Sequence, residues 1–537
     1  MEIQRQLDNE TYYKVDPSYS LDKDVNKIRK TINEFIKNGS LEENATLLNV
    51  PNVRQPTFYV LPKIHKKDNP GRPIVSAVSC PTAHISSYLD SIFQPLVQSL
   101  PSFIKDSTDA LKKFIEINTN RSFQPTLLCT MDVSGLYTNI PHNDGLLALQ
   151  FFLDQRDSLY PPTDTILRLA ELVLSLNTFS FGNAFYHQLS GVAMGTKMGP
   201  SYACLFMGHL EQRLFSLFSG RKPEFYGRYI DDCLIITSLQ REEMLAFISF
   251  ANDFHPSIKF TYELSSSNIN FLDIQISIVD GSISTSVFYK PTDSHSYLDY
   301  NSSHSLATRN SIPFSQFLRL RRLCSSDEIF RDKGKEMCTF FQSRNYPESI
   351  VNKAFQKVSK IPRQVCMQPT PKTSSDRPIL VIPFHPHNIP VKKIVHQNWN
   401  ILSRDPSIGQ FFKEPPLVAY KRRQNLRDHL VHSKFQNHPL PGTHPCSKQQ
   451  CVICPFLDVE QSVKGPKNTF KVSRMFGCQT TNVVYAICCK RCGILYIGET
   501  GKSFSHRLSQ HLGDIRLKGE NRQVANHFNK NGHSMHD

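Results

Sequence analysis

At 537 residues, 39% hydrophobic and 10% aromatic, the chain is too long for one compact core and too rich in core-forming residues for a disordered one; about three domains is the expectation. Its 62 basic and 47 acidic residues leave +15, and 18 Lys/Arg against 7 Asp/Glu place +11 of this in residues 417–537, a balance that favours polyanions, nucleic acid above all. No apolar run is long enough to span a bilayer and Met1-Glu-Ile-Gln-Arg-Gln-Leu7 is neither a signal nor a transit peptide, so the 14 cysteines are not read as a disulfide framework.

In chain order, residues 1–50 read as helical, with Val25, Ile28, Ile32, Phe35 and Ile36 as an apolar packing stripe. Phe58-Tyr-Val-Leu-Pro-Lys-Ile-His-Lys66, a turn at Asp68-Asn-Pro-Gly71 and Arg72-Pro-Ile-Val-Ser76 make a predicted β-hairpin. Lys63, His65, Lys66, Lys67 and Arg72 render it basic, which suits a triphosphate, although a solvated basic loop has the same composition. Residues 82–118 read as helical. Thr126-Leu-Leu-Cys-Thr-Met131 has the pattern of a buried strand ending at Asp132, with Tyr137 five residues on. A carboxylate so placed can hold a metal, and the ring can stand where a nucleotide's sugar would lie.

Gly191-Val-Ala-Met-Gly-Thr-Lys-Met-Gly-Pro-Ser201 is a small-residue loop opening a helix over Tyr202–Phe218, on which Tyr202, Leu205, Phe206, His209 and Leu210 share a face. Its glycines would let backbone approach a base pair closely, and a plain helix-entry turn reads the same way. Glu224–Tyr229 and Leu234–Thr237 are then two strands meeting at a turn that holds Asp231 and Asp232. Adjacent carboxylates among apolar residues raise at least one pKa, and the penalty falls if Mg²⁺ sits between them.

Asn268-Ile-Asn-Phe-Leu-Asp-Ile-Gln-Ile276 and Val287-Phe-Tyr-Lys-Pro-Thr292 read as further strands, with Asp273 in a structural role. A helical region runs from Ile312 to about Ile361, and residues 362–416, rich in Pro and Ser, read as a connector. Seven cysteines then fall between Cys446 and Cys492. Two CxxC pairs predict one structural zinc on Cys451, Cys454, Cys489 and Cys492, with Cys446 and Cys478 as competitors.

Four of these segments, in this order, resemble reverse transcriptases of Penelope-like retroelements: Leu61-Pro-Lys-Ile-His-Lys66, Met131-Asp-Val-Ser-Gly-Leu-Tyr-Thr-Asn-Ile-Pro141, Gly195-Thr-Lys-Met-Gly-Pro-Ser201 and Tyr229-Ile-Asp-Asp232. Asn482-Val-Val-Tyr-Ala-Ile-Cys-Cys-Lys-Arg-Cys-Gly-Ile-Leu-Tyr-Ile-Gly-Glu-Thr-Gly501, two strands before a helix carrying Arg507 and His511, resembles the GIY-YIG endonuclease these elements carry, with Val483-Val-Tyr485 departing from the first tripeptide in its glycine. The resemblance implies an α+β chain: helical segment and fingers (1–125), right-hand palm (126–300), helical thumb (301–361), connector (362–445), then a zinc-binding linker and a small α/β GIY-YIG nuclease-like domain (446–537).

It further implies that Asp132 and Asp231 ligate two Mg²⁺ ions with Asp232 supporting, that Lys63, Arg72, Tyr137 and Gly195 bind the nucleotide, and that Arg319, Arg321 and Arg322 face phosphates. Tyr485 and Tyr496 would activate water and Arg507 steady the scissile phosphate, with His511 in support. The family's metal-binding glutamate has no match, since Glu499 sits beside the second tripeptide, so little nicking is expected and both ends read as clipped. The function implied is an RNA-directed DNA polymerase acting on an RNA template, a DNA primer and target, and dNTPs, nuclear with a cytoplasmic fraction as the second expectation. The alternative is a remnant that only binds nucleic acid. A telomerase-like enzyme shares the palm chemistry but has no need of a nuclease.

Overall fold

The computed structural model describes residues 2–536 except 65–67, 121–122, 369–376, 386–389, 432–440, 447–450, 452, 460–461, 466–467, 473, 520–521, 531 and 535. His65, Lys66 and Lys67 of the basic hairpin lie outside the described residues. The chain divides into two units, residues 1–423 and 424–537.

The first unit opens with α1 (Glu2–Leu7), β1 (Tyr13–Val15) and α2 (Leu21–Lys37), which buries Ile28 and Ile32 from the predicted stripe. The predicted hairpin forms as β2 (Thr57–Pro62) and β3 (Gly71–Ser76), with Leu61 opposite Arg72. The helical stretch that follows divides into α3 (Ala83–Gln98) and α4 (Ser107–Asn120). Next come β4 (Leu127–Val133), α5 (Leu136–Asn139), α6 (His142–Leu153), α7 (Thr163–Ser175), β5 (Thr178–Phe181) and β6 (Ala184–Gln188). The reading of residues 1–50 as wholly helical is corrected by β1, an edge strand of a sheet ordered β1-β6-β5-β2-β3. Three residues are too few to display a period of two in sequence.

α8 (Gly199–Leu217), β7 (Phe225–Tyr229), β8 (Asp232–Thr237), α9 (Arg241–Phe254) and β9 (Phe260–Ser265) complete the central fold. Its sheet is antiparallel throughout, in the order β7-β8-β4-β9. Side chains alternate across a strand, and here both faces meet apolar partners. Cys129, Met131, Cys233 and Ile235 pack with Tyr202 and Phe206 of α8, while Leu128, Leu234 and Ile236 join a second core with Ile274 and Phe317. Burial on both faces is why these strands read as unbroken apolar runs. α8 is buried continuously from Tyr202 to Gly208, more than the single face expected of it.

β10 (Asn268–Phe271), β11 (Ile274–Val279) and β12 (Ser282–Val287) form a second antiparallel sheet, followed by α10 (Leu306–Leu323), α11 (Asp327–Gln342), α12 (Glu348–Ser359) and the single turn α13 (Arg363–Cys366). Ser305 and Ser326 cap α10 and α11, each hydroxyl accepting from a backbone N–H three residues on at 3.2 Å.

The expectation that three arginines of α10 face phosphates is corrected. Arg319 donates twice to Asp273, at 2.6 and 3.0 Å, and Asp273 also accepts from the Ser107 hydroxyl, the structural role foreseen for it. Arg321, one turn beyond Phe317 on the packed face, is buried on Asp327 and the Ile361 carbonyl, and Arg322 reaches Thr108. The connector holds structure of its own: β13 (Ile379–Pro383) pairs in parallel with β14 (Leu417–Lys421), and α14 (Val391–Gln397) and α15 (Asn400–Ser403) lie between them in sequence.

The second unit begins with α16 (Leu426–Leu430). β15 (Gly442–Thr443), β16 (Ser462–Lys464), β17 (Thr469–Lys471) and β18 (Met475–Phe476) form two short ladders, β15 with β18 and β16 with β17. β19 (Val483–Cys488) and β20 (Leu495–Thr500) make the predicted antiparallel hairpin before α17 (Phe504–Arg516) and α18 (Gln523–Phe528). Among the described residues of the chain, no helix is long and apolar enough to cross a membrane.

Candidate functional site

Asp132, the penultimate residue of β4, lies directly opposite Asp232, the first residue of β8. Facing residues in an antiparallel pair project to the same side, so register alone juxtaposes the two carboxylates. The turn between β7 and β8 is Ile230-Asp231, flanked by the pair Tyr229 and Asp232, and Val133 N donates to Asp231 O at 3.1 Å. The strand expected from Leu234 therefore begins two residues earlier: Asp231 is in the turn and Asp232 already belongs to the strand. Ile230 has φ +58°, rare for a β-branched residue. The Asp232 carboxyl is pushed up to about 6, first by burial and then by the charges of Asp231 and Asp132, with Lys290 acting the other way. A half-buried all-oxygen cluster whose members repel one another is the donor set a hard divalent cation prefers, so these residues fit Mg²⁺.

Tyr137 sits in α5 with its ring half-buried against Gly199, and burial chiefly, with Cys204 and Asp231 adding, raises its hydroxyl pKa while Arg72 opposes. Lys63 follows β2 with its N–H on Pro70 O at 2.9 Å, and Arg72 is exposed on β3. The close approach made by Gly195 is to protein: at φ +131° an added Cβ would stand 2.1 Å from the Val75 carbonyl, and Val75 N bonds Met194 O at 2.8 Å. This loop is stitched to β3, which accounts for its glycine without a bound base pair. Lys290 was not singled out from sequence. Neither was the buried pair Glu211 and Arg228, whose only signal is a charge set within each of two largely apolar segments.

In the second unit, Tyr485, Ile487, Tyr496 and Gly498 share one face of the β19–β20 hairpin. α17 brings Arg507 and His511 onto it, one turn apart. His511 Nε2 lies 2.7 Å from the Tyr485 hydroxyl, which also accepts from Arg507 Nε at 3.0 Å, and the Tyr496 ring stands 5.5 Å from that of His511. All four predicted residues thus meet. A Cβ on Gly498 would stand 2.5 Å from the Tyr485 hydroxyl, so the second tripeptide needs its glycine for room. Burial first, then Arg507, lowers the His511 pKa, and the hydrogen bond to Tyr485 raises that of Arg507. Glu499 pairs with exposed Val484 and so faces away from Tyr485.

The predicted zinc ligand set is corrected. Cys451 and Cys454 gather with Cys446 and Cys478, whereas Cys489 and Cys492 gather with His527 and His533. In the first group the Cys446–Cys454, Cys454–Cys478 and Cys451–Cys478 sulfurs are 3.5, 3.5 and 3.9 Å apart. Tetrahedral zinc with Zn–S bonds of about 2.3 Å sets such edges at about 3.8 Å. Backbone N–H groups of Ile453 and Cys454 bring the Cys451 thiol down to about 6, the ligating thiolate form. In the second group, Cys489 Sγ lies 3.5 Å from His533 Nδ1 and Cys492 Sγ 3.4 Å from His527 Nε2, against about 3.6 Å for a shared zinc. Both donor sets fit. The CxxC pairs fall in separate sets because Cys489 and Cys492 lie in the turn between β19 and β20, beside His527 of α18.

A family description, reverse transcriptase (RNA-dependent DNA polymerase), matches residues 64–264; an animal helix-turn-helix domain matches 296–356, and a GIY-YIG catalytic domain matches 481–533. Among solved structures, telomerase from Candida albicans in complex with a telomeric RNA fragment is 12% identical over 60% of this chain and 59% of that one, at a TM-score of 0.43. The RNA-dependent RNA polymerase of a human picobirnavirus is 9% identical over 66% and 74% of the two chains, at 0.41. The match thus spans 59% of the length of that telomerase. No curated protein matches the chain. The chain carries a reverse transcriptase domain, in which Asp132 faces Asp232 with Asp231 at the adjoining turn, and a GIY-YIG catalytic domain that contains Tyr485 and Tyr496, the pairing expected of a Penelope-like element.

Proposed function

We propose that this chain is the RNA-directed DNA polymerase of a Penelope-like retroelement, extending a DNA primer with dNTPs on an RNA template. The observation that carries the reading is the facing pair Asp132 and Asp232 with Asp231 at the adjoining turn. Two Mg²⁺ ions bound there would favour ionisation of the primer 3′-hydroxyl and neutralise charge on the triphosphate. The chain's own part is positioning: Asp132 and Asp231 hold the ions, Asp232 supports them, Lys63 and Arg72 contact phosphates, and Tyr137 excludes a ribose 2′-hydroxyl. Primer extension on poly-RNA with Mg²⁺, wild type against Asp231→Asn, tests it. Loss confined to the variant supports the reading; equal incorporation by both, or none by either, overturns it.

In the C-terminal unit, Arg507 and the Tyr485–His511 pair form a site for a DNA phosphodiester, and the two cysteine-containing clusters each hold structural zinc. Since Glu499 faces away from Tyr485, little nicking of supercoiled DNA is expected. Nicking that Tyr496→Phe abolishes would overturn that expectation. A chromosomal DNA target makes the nucleus the proposed compartment, which imaging of the tagged chain would check.

A further inference from the structure

Glu211 lies in α8 and Arg228 in β7, segments otherwise largely apolar, and both side chains are more than nine-tenths buried. They bond twice, Arg228 Nε to Glu211 Oε1 at 2.5 Å and Nη2 to Oε2 at 3.2 Å. The rest of the carboxylate's capacity is used within the fold: the Tyr226 hydroxyl donates to Oε1 at 2.8 Å and the Ser102 hydroxyl to Oε2 at 2.6 Å. Two further guanidinium bonds go to backbone, Nη2 to Cys204 O at 3.1 Å and Nη1 to Ile230 O at 2.9 Å. The base of the side chain is fixed as well, since Arg228 N donates to Ser102 O at 2.6 Å and Arg228 O accepts from Ile104 N at 2.9 Å.

Stability alone does not call for this arrangement. Desolvating two such ions is costly, and a well-packed apolar pair is often as stable or more so. What an apolar pair cannot supply is the bond to Ile230 O. A β-branched residue at φ +58° is strained, and it persists only where the surroundings over-determine it. The Ile230 carbonyl belongs to the peptide plane that presents Asp231. Lysine, a point charge, lacks the rigid fork that engages a carboxylate and two carbonyls together.

We propose that the Glu211–Arg228 pair is a positioning device for the metal-binding turn: by holding the Ile230–Asp231 peptide, it sets the Asp231 carboxylate against Asp132 and Asp232. The inference rests on reading those carboxylates as the Mg²⁺ site. The test uses the full chain in two forms, the double variant Glu211→Leu with Arg228→Met, and Arg228→Lys. Mn²⁺ binding is followed by electron paramagnetic resonance, with Asp231→Asn as the blank that removes contributions from other sites. Primer extension and thermal melting are followed alongside.

The expected result is a double variant that melts within a few degrees of wild type but binds Asp231-dependent Mn²⁺ about 10- to 100-fold more weakly, as when the groups orienting a ligand are lost. Arg228→Lys should weaken it in the same direction, and extension should fall with it. A folded double variant with wild-type Mn²⁺ affinity and extension overturns the inference while leaving the polymerase reading intact. If wild type extends no primer yet its Asp231-dependent Mn²⁺ binding is weakened by the variants, positioning stands and the polymerase reading falls. Absence of Asp231-dependent binding in wild type overturns both. Failure of both variants to fold makes the pair a folding requirement and overturns the positioning role.

Discussion

In the polymerase unit, Asp132 and Asp232 face each other because two long strands, buried on both sides, are in register. In the C-terminal unit, Tyr485, Arg507 and His511 meet on a two-stranded hairpin and one helix, over small clusters of five and four buried residues. Such cores are too small to order a domain unaided, and there the two four-residue donor sets lie. Backbone register sets the Asp132–Asp232 pair, whereas side-chain bonds set the Tyr485 site, in a unit with two donor sets able to hold metal.

This contrast should break first under chelation. Full chain purified with zinc should contain two ions by atomic emission, and Cys454→Ser or Cys492→Ser should each leave one. Structural zinc of this kind is worth about 10–16 kcal/mol of apparent binding energy, so stripping it should abolish hydrogen-exchange protection over 483–500 while primer extension persists. Loss of extension in parallel would show the two sites to be held alike. Smaller is the effect of Ile236→Ala, at a side chain with no exposure: about 2–5 kcal/mol lost from the polymerase unit, read by denaturant melting, with zinc content unchanged. A fall in zinc content would blur the distinction between the units.

The smallest effect is pH-dependent. Burial and Arg507 depress His511 below its ordinary 6.5, so the fold favours its neutral form. The stabilisation this provides is complete above 6.5 and declines as pH falls through the depressed value. Intrinsic-rate-corrected exchange over 504–516 should therefore quicken between pH 7.5 and 5, and His511→Gln should flatten the trend. An unchanged trend in that variant would assign the pH response elsewhere.

Sequence reasoning succeeded where a local pattern carries the geometry. Apolar strands ending at Asp132 and at the Asp231 turn needed only a shared sheet, and Arg507 and His511, one helical turn apart, reached the tyrosine face through a regular helix. It failed where partners come from distant segments. The CxxC spacing located thiolates but not their companions, because Cys478 and His533 are brought in by the fold. Arg319 and Arg321 looked like a basic helix face, and only their contacts with Asp273 and with the Ile361 carbonyl reveal them as internal ties.

The two-sided packing of β4 and β8 also acts on the way to the folded state. Slipping β8 by one residue would turn its whole set of side chains over, sending Asp232 towards the apolar packing of α8 and presenting Cys233 beside Asp132. An ionised carboxylate has no partner there, so misaligned chains are strongly disfavoured. The carboxylates thereby serve as an assembly check, selecting the single pairing in which they reach water.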